Sequence, residues 1–194
     1  MQVPLIIKII TIISCIAWSI PLFKQNKTIY FYFFLIYAIN DPLMLLIWSI
    51  YKVKFEVLAI LMNSLLITTL TKSKNYRIVI ISGAFASTLL AIFYNITLVS
   101  IREISIILNF VIVCLIVLRM SDQLILEKSI NVFLIALLVY ESVTIFKKFA
   151  YAIDPNLGPI SFYFGTAIQI LFGIAFSFIN INTKNFMLIK EDKY

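Results

Sequence analysis

The sequence predicts an all-α fold: a polytopic integral membrane bundle of seven transmembrane helices joined by short loops. Three observations carry that prediction. Of 194 residues, 62% are hydrophobic and 13% charged, against roughly 45–50% and about 25% in a soluble domain. Mean hydropathy is +1.05. Apolar runs close to bilayer-crossing length recur from residue 3 to residue 181, and Lys and Arg fall almost entirely in the breaks between them. One membrane domain, residues 1–194, leaves no room for a soluble one.

The first run covers residues 3–23, with Pro4 where a helix start tolerates a missing N–H. Its first residues carry no side-chain charge, so an uncleaved anchor is expected rather than a secretory signal. Ile12-Ile13-Ser14-Cys15 resembles a lipobox, but the apolar run continues past it. The second run, 29–51, holds Asn40-Asp41-Pro42 at its centre. The third, 55–71, is short. The fourth, 78–99, carries Gly83, Ser87 and Ala91 at every fourth position. Such a small-residue face packs helices closely and offers a route to a homo-oligomer. Asn95-Ile96-Thr97 matches a glycosylation sequon at the end of that run.

Arg102-Glu103 breaks the pattern before the fifth run, 104–118. A charged connector is expected from Arg119 to Lys128. The sixth run, 129–146, ends at Lys147-Lys148. Asp154-Pro155-Asn156-Leu157-Gly158-Pro159 is a strong turn signal. The seventh run, 160–181, repeats the small-residue spacing through Gly165, Gln169, Gly173 and Ser177. Trp18, Tyr30, Trp48, Tyr51, Tyr76, Tyr94 and Tyr151 lie toward run ends, as in an interfacial aromatic belt.

Short connectors make sequence neighbours antiparallel. Ten of the 16 Lys and Arg residues fall in the first, third and fifth loops and the tail, and six on the other side. The positive-inside rule then favours N-out, C-in.

Several function classes are excluded. With no His, histidine-ligated zinc or haem, His-based triads and His switches are ruled out. Cys15 and Cys114 each lie inside an apolar run and are read as packing residues. No metal-ligand spacing occurs, so neither metal nor cofactor is expected. The net charge of +7 follows membrane topology, and no nucleic-acid partner is implied.

The unusual feature is a polar mid-section. Asp41, Asn63, Asn109, Glu141 and Gln169 lie near the middle of runs two, three, five, six and seven, with Asn40 beside Asp41. An acid at bilayer centre costs at least ~2.5–3.5 kcal/mol on insertion scales, so these groups should face the bundle. No Lys or Arg is expected at that depth. Each acid is then protonated, bonded to an amide, or bound to a cation or substrate. Pro42 removes a hydrogen bond from the Ala38 carbonyl, and Asp41 or Asn40 is expected to help repair the kink.

Four readings from different classes follow. Seven helices with the N-terminus outside resemble receptor-like bacterial sensory modules. Those carry an output domain, whereas only a short polar tail, residues 182–194, follows the last run. A sensory or regulatory subunit acting through a separate cytoplasmic output or enzyme partner is therefore the first reading. A small transporter or proton- or cation-coupled carrier with its site at Asp41 and Glu141 is the second. An intramembrane hydrolase using the same carboxylates is the third, and a purely structural subunit the fourth. No resemblance reaches motif level. Composition rich in Ile, Asn, Lys and Phe suits an AT-rich bacterial genome, and a bacterial inner membrane is the expected location.

Overall fold

The computed structural model describes residues 5–26, 28, 30–51, 55–71, 73–93, 98–153 and 158–179. Seven α-helices form: α1 (Leu5–Lys24), α2 (Phe31–Tyr51), α3 (Phe55–Leu70), α4 (Lys74–Phe93), α5 (Leu98–Glu127), α6 (Val132–Ile153) and α7 (Gly158–Phe178). No strand occurs among the described residues. The sequon at Asn95–Thr97, most of the turn at Asp154–Pro159 and the tail lie outside them.

Besides α4, which begins at Lys74 rather than at residue 78, two helices differ from the sequence expectation. Residues 119–127 are not a loop. They extend α5 to 30 residues, about 45 Å at the α-helical rise. Arg119, Met120, Gln123, Leu124, Leu126 and Glu127 are good helix formers, and no Gly or Pro interrupts them. Arg102 and Glu103 lie inside the same helix. The helix stops at Lys128, whose φ of 50° is left-handed, the usual helix-ending conformation. Asn131 then caps α6, its Oδ1 accepting the Phe133 N–H at 2.9 Å. The second difference is that α6 runs to Ile153, so Lys147 and Lys148 are interior helix positions.

The helices close into a ring. α1 packs on α2, α2 on α3, α3 on α5, α5 on α6, α6 on α7, and α7 returns to α1. α4 stands outside, against α3. Short turns make α1/α2, α5/α6 and α6/α7 antiparallel, whereas α1/α7 and α3/α5 run parallel.

Two prolines shape the ring. Pro21 lies inside α1 and frees the Ala17 carbonyl. α7 comes close at that point: a Cβ on Gly173 would stand 3.0–3.2 Å from Ala17 atoms, so a larger residue would have to move α1 and α7 apart by a few tenths of an ångström. Pro42 lies inside α2, and the carbonyl it frees, at Ala38, accepts the Cys15 thiol of α1 at 3.2 Å. Cys15 therefore repairs the kink, a role the sequence reading gave to Asn40 or Asp41.

Aromatic side chains fill one half of the ring. Trp18, Phe33, Phe34, Phe133, Tyr140 and Phe176 are nearly fully buried and interlock. Trp18 stacks on Tyr37 with centroids 4.6 Å apart, and Phe133 meets Tyr30, Phe34 and Phe176 at 4.6–5.9 Å. Such pairs add about 0.5–1.5 kcal/mol each beyond area burial. Trp18 and Tyr30 are thus core residues and not belt residues, whereas Tyr76 is exposed. The side chains of Trp48, Tyr51, Tyr94 and Tyr151 lie outside the described residues.

At the end of the ring near this aromatic half, basic side chains close helix C-termini. The Arg119 guanidinium donates to the Leu70 carbonyl at 2.7 and 3.1 Å and lies over the Tyr30 ring. Lys24 donates to the Ser177 carbonyl, and Arg77 to the Thr71 carbonyl at 2.6 Å. Each cation meets the partial negative charge of a helix end.

Polar groups are buried beside the apolar core, and many large apolar side chains are exposed. Asn63, Ser64, Ser105, Asn109 and Glu141 are buried, while Ile12, Phe23, Phe85, Ile107, Phe146, Phe164 and Phe178 are exposed. α1 and the stretch Glu103–Glu127 are long and apolar enough to cross a membrane.

Candidate functional site: a buried polar layer

The other half of the ring is polar. It is built around Glu141, which is 0% exposed. α6 points this carboxylate across the ring at α2 and α5. The Tyr37 hydroxyl donates to Oε1, and the Asn109 amide donates to Oε2 at 3.2 Å. Asn109 Oδ1 in turn accepts from the Asn63 amide at 2.9 Å and from the Lys148 ammonium. Asn63 also donates to Ser105 Oγ at 3.2 Å and to the Ser105 carbonyl at 3.3 Å. Lys148 also donates to Ser105 Oγ at 3.0 Å.

Both oxygens of Glu141 are engaged, Oε1 with the Tyr37 hydroxyl and Oε2 with the Asn109 amide. Lys148 sits one amide away: its ammonium donates to the Asn109 carbonyl oxygen, and the same amide's N–H₂ faces the Glu141 carboxyl. The result is a hydrogen-bonded relay from Lys148 through Asn109 to Glu141, tying α2, α3, α5 and α6 together.

The expectation that no basic residue reaches either acid is therefore corrected. Lys147 and Lys148, read as the polar end of the sixth run, are half-buried and turn inward. Lys148 goes to the α5 side. Lys147 goes to the α7 side, where its Cδ, Cε and Nζ occupy the space a Cβ on Gly165 would fill.

Asp41 has its own surroundings. Its Oδ1 accepts from the Asn40 amide at 2.9 Å. The other end of the Asn40 amide, Oδ1, is buried with no hydrogen-bond partner. Asp41 and Glu141 thus enter different partner sets.

Of the residues expected from sequence, Asn63, Asn109 and Glu141 are brought into one network, and Asn40 and Asp41 into a second cluster beside Pro42. Gln169 joins neither directly; its amide approaches the Tyr140 hydroxyl at 3.4 Å. Sequence reasoning missed Tyr37, Ser105, Lys147 and Lys148. A spacing signal existed for three of them. Tyr37 is one turn before Asp41, Ser105 one turn before Asn109, and Lys148 two turns after Glu141 on the same face. Other buried hydroxyls are spent locally: Thr11, Ser64 and Thr68 donate to carbonyls of their own helices at 2.6–2.8 Å.

The small-residue faces divide. Gly173 and Gly165 admit a helix and a lysine respectively, whereas a Cβ on Gly83 would meet nothing within 4 Å. Among the described residues, the Gly83 face therefore packs against no other helix. Among the described residues no group of three or more Cys, Asp or Glu is placed to hold a metal ion.

The polar layer can bind or exchange charge, because it holds two carboxylates and two ammonium groups at the centre of a ring. It is closed on one side by the Trp18–Tyr37–Tyr140 aromatic group. No protein-family profile, curated protein or solved structure matches this chain significantly.

Proposed function

We propose that the chain is a seven-span integral membrane protein of a bacterial inner membrane, N-out and C-in, acting as a sensory or regulatory subunit. Its polar layer responds to a small polar or ionic ligand and passes the response to a separate partner protein. Support for the membrane setting is the large exposed apolar surface, with Ile12, Phe23, Phe85, Ile107, Phe146, Phe164 and Phe178 all exposed, together with a buried polar layer at Asn63, Ser105, Asn109 and Glu141.

The observation that carries the sensory reading is the convergence of four helices on Glu141. A ligand that disturbs one carboxylate changes the packing of α2, α3, α5 and α6 together. The aromatic half of the ring argues against a continuous polar path, which favours sensing over conduction. A second reading, a proton- or cation-coupled carrier, draws on one specific observation: Lys148 reaches the Glu141 network through Asn109, at a place an incoming cation could take. A hydrolytic use of the two carboxylates finds less support, because Tyr37 and Asn109 already occupy both oxygens of Glu141.

Two experiments test the proposal. For topology, single cysteines at Asn26, Ser73 and Lys128, in a background lacking Cys15 and Cys114, should resist a membrane-impermeant maleimide in intact cells. A cysteine at Asn95 should label. The opposite pattern overturns N-out, C-in, and uniform labelling overturns the membrane reading. For function, Glu141→Gln should retain folded yield yet lose the phenotype of the gene's deletion complementation. Loss of yield alone would make the layer structural.

A further inference from the structure

We infer that the ring is built from two three-helix units, α1–α3 and α5–α7, that move against one another as bodies. Two equivalent latches of basic side chains hold the units together at one end. The inference gives the responsive polar layer its moving parts, and it rests on that reading for what sets them in motion.

The first ground is the symmetry of the helix contacts. Exchanging α1, α2 and α3 for α5, α6 and α7 leaves the ring unchanged. The pairs α1/α2 and α2/α3 become α5/α6 and α6/α7, and the seam α3/α5 becomes the seam α7/α1. Both seams join parallel helices, so the two-fold axis relating the units runs along the bundle. Three helices end a unit on the side opposite to its start. The chain must cross once more before the second unit can begin on the same side, and α4 makes that crossing outside the ring. The exchange also carries α2, with Asp41 near its middle, onto α6, with Glu141 near its middle. In membrane proteins built from parallel repeats, one repeat can rock against the other.

The second ground is the latches. At the end of α1, Lys24 donates to the Ser177 carbonyl, and the buried Gln25 amide to the Ile179 carbonyl at 3.3 Å. Both carbonyls lie at the C-terminus of α7. On α5, Arg119 donates to the Leu70 carbonyl at the C-terminus of α3, at 2.7 and 3.1 Å. Exchanging the units turns one latch into the other, since α1 on α7 becomes α5 on α3. Each latch crosses a seam, and each sets a cation against the partial negative charge of a helix end. Lys24 is exposed and Arg119 half-buried, so either cation can let go without leaving a bare charge in the core.

The third ground is where the units touch. Beside the latches, Trp18 and Phe34 of the first unit meet Phe133, Tyr140 and Phe176 of the second. The polar layer divides along the same line. Glu141, Asn109, Ser105 and Lys148 all belong to the second unit. They hold the first through the Tyr37 hydroxyl on Glu141 and the Asn63 amide on Asn109 and Ser105. A change at Glu141 therefore acts on a contact between units, and a rigid-body rotation there is felt at the latched end.

The test uses the full chain in lipid nanodiscs, with Cys15→Ser and Cys114→Ala, and measures distances between paired nitroxide labels by electron–electron resonance. Labels on Phe23→Cys and Leu118→Cys span the two units at the latched end. Labels on Phe23→Cys and Tyr32→Cys lie within one unit, and all three positions are exposed. Lys24→Ala combined with Arg119→Ala should add a longer component to the cross-unit distance and leave the within-unit distance unchanged. Leu134→Cys, buried among the aromatic rings and carried as the single cysteine, should then react with a maleimide at least about tenfold faster. Widening of both distances together would make the latches ordinary helix caps. An unchanged cross-unit distance in the folded variant would make the ring one rigid body. Either result overturns the inference. If the combined variant does not fold, Lys24→Ala and Arg119→Ala are measured singly: each should broaden the cross-unit distance, and no broadening in either overturns the inference equally. No ligand or partner enters these measurements, so their failure leaves the phenotype of Glu141→Gln, and the functional reading with it, to be decided separately.

Discussion

Glu141 and Asp41 occupy similar positions in their helices, yet they are built into the ring differently. Both oxygens of Glu141 are held by neutral donors from two other helices, and its lysine is relayed through Asn109. Asp41 is held by its own neighbour Asn40, beside a proline and an unpaired carbonyl oxygen. The first arrangement is closed, with every strong donor and acceptor engaged. The second has a vacancy in its hydrogen bonding. A closed network fixes helix positions, whereas a cluster with an unused acceptor is suited to exchange.

The largest expected effect is on the closed side. Lys148→Met removes the counter-charge of a fully buried carboxylate. Breaking a buried ion pair costs about 3–5 kcal/mol. Lys148 is only half-buried, so about 2 kcal/mol of destabilisation is expected in a chemical unfolding titration. A change below about 0.5 kcal/mol would show that Glu141 does not depend on it.

Cys15→Ala comes next. It leaves the Ala38 carbonyl beside Pro42 without its thiol donor, at about 1 kcal/mol, and Cys15→Ser should restore the loss. Equal destabilisation by both variants would remove the thiol from the account of the kink. Asn63→Ala deletes one interhelical amide at the edge of the network, and about 0.6 kcal/mol is expected. The smallest effect belongs to the open side. Gly165→Ala pushes Lys147 aside but leaves the Glu141 network intact, so stability should change by under about 0.5 kcal/mol. A loss as large as that of Lys148→Met would mean that the two lysines serve one closed network, and the contrast between the acids would fail.

Much of the helical layout was legible because apolar runs and polar breaks report it directly. Four of the seven helices, α1, α2, α3 and α7, begin and end near the expected residues. The failures share one cause: charged residues were taken as helix ends. Arg119 to Glu127 and Lys147-Lys148 are charged but contain no breaker, and helices stop at conformational signals such as Lys128 with φ of 50° rather than at charges. Long basic side chains also reach far from their Cα atoms, so a lysine two turns from Glu141 still serves the same layer. The basic residues used to orient the chain have structural duties as well, since Lys24, Arg77 and Arg119 close helix C-termini.

The mid-helix position of Asn63, Asn109 and Glu141 was readable from sequence, because polar groups in long apolar runs must turn inward. Which of them would touch was not, since that depends on how each helix is rotated and which pairs face across the ring. Trp18 illustrates the limit. It sits late in its run, as a belt residue would, yet α1 turns it inward to stack on Tyr37. The thiol of Cys15 is a similar case, because its role appears only when α1 and α2 are in register at Ala38.

The relay from Lys148 through Asn109 to Glu141 is the central claim, and a double-mutant cycle tests it most directly. Unfolding free energies would be measured in nanodiscs for the unaltered chain, Glu141→Gln, Lys148→Met and the double variant. The relay predicts that the double variant is less destabilised than the two single losses combined, with a coupling energy of about 1 kcal/mol or more. Additivity within about 0.3–0.5 kcal/mol would mean that the two charges do not sense one another, and the relay would be contradicted.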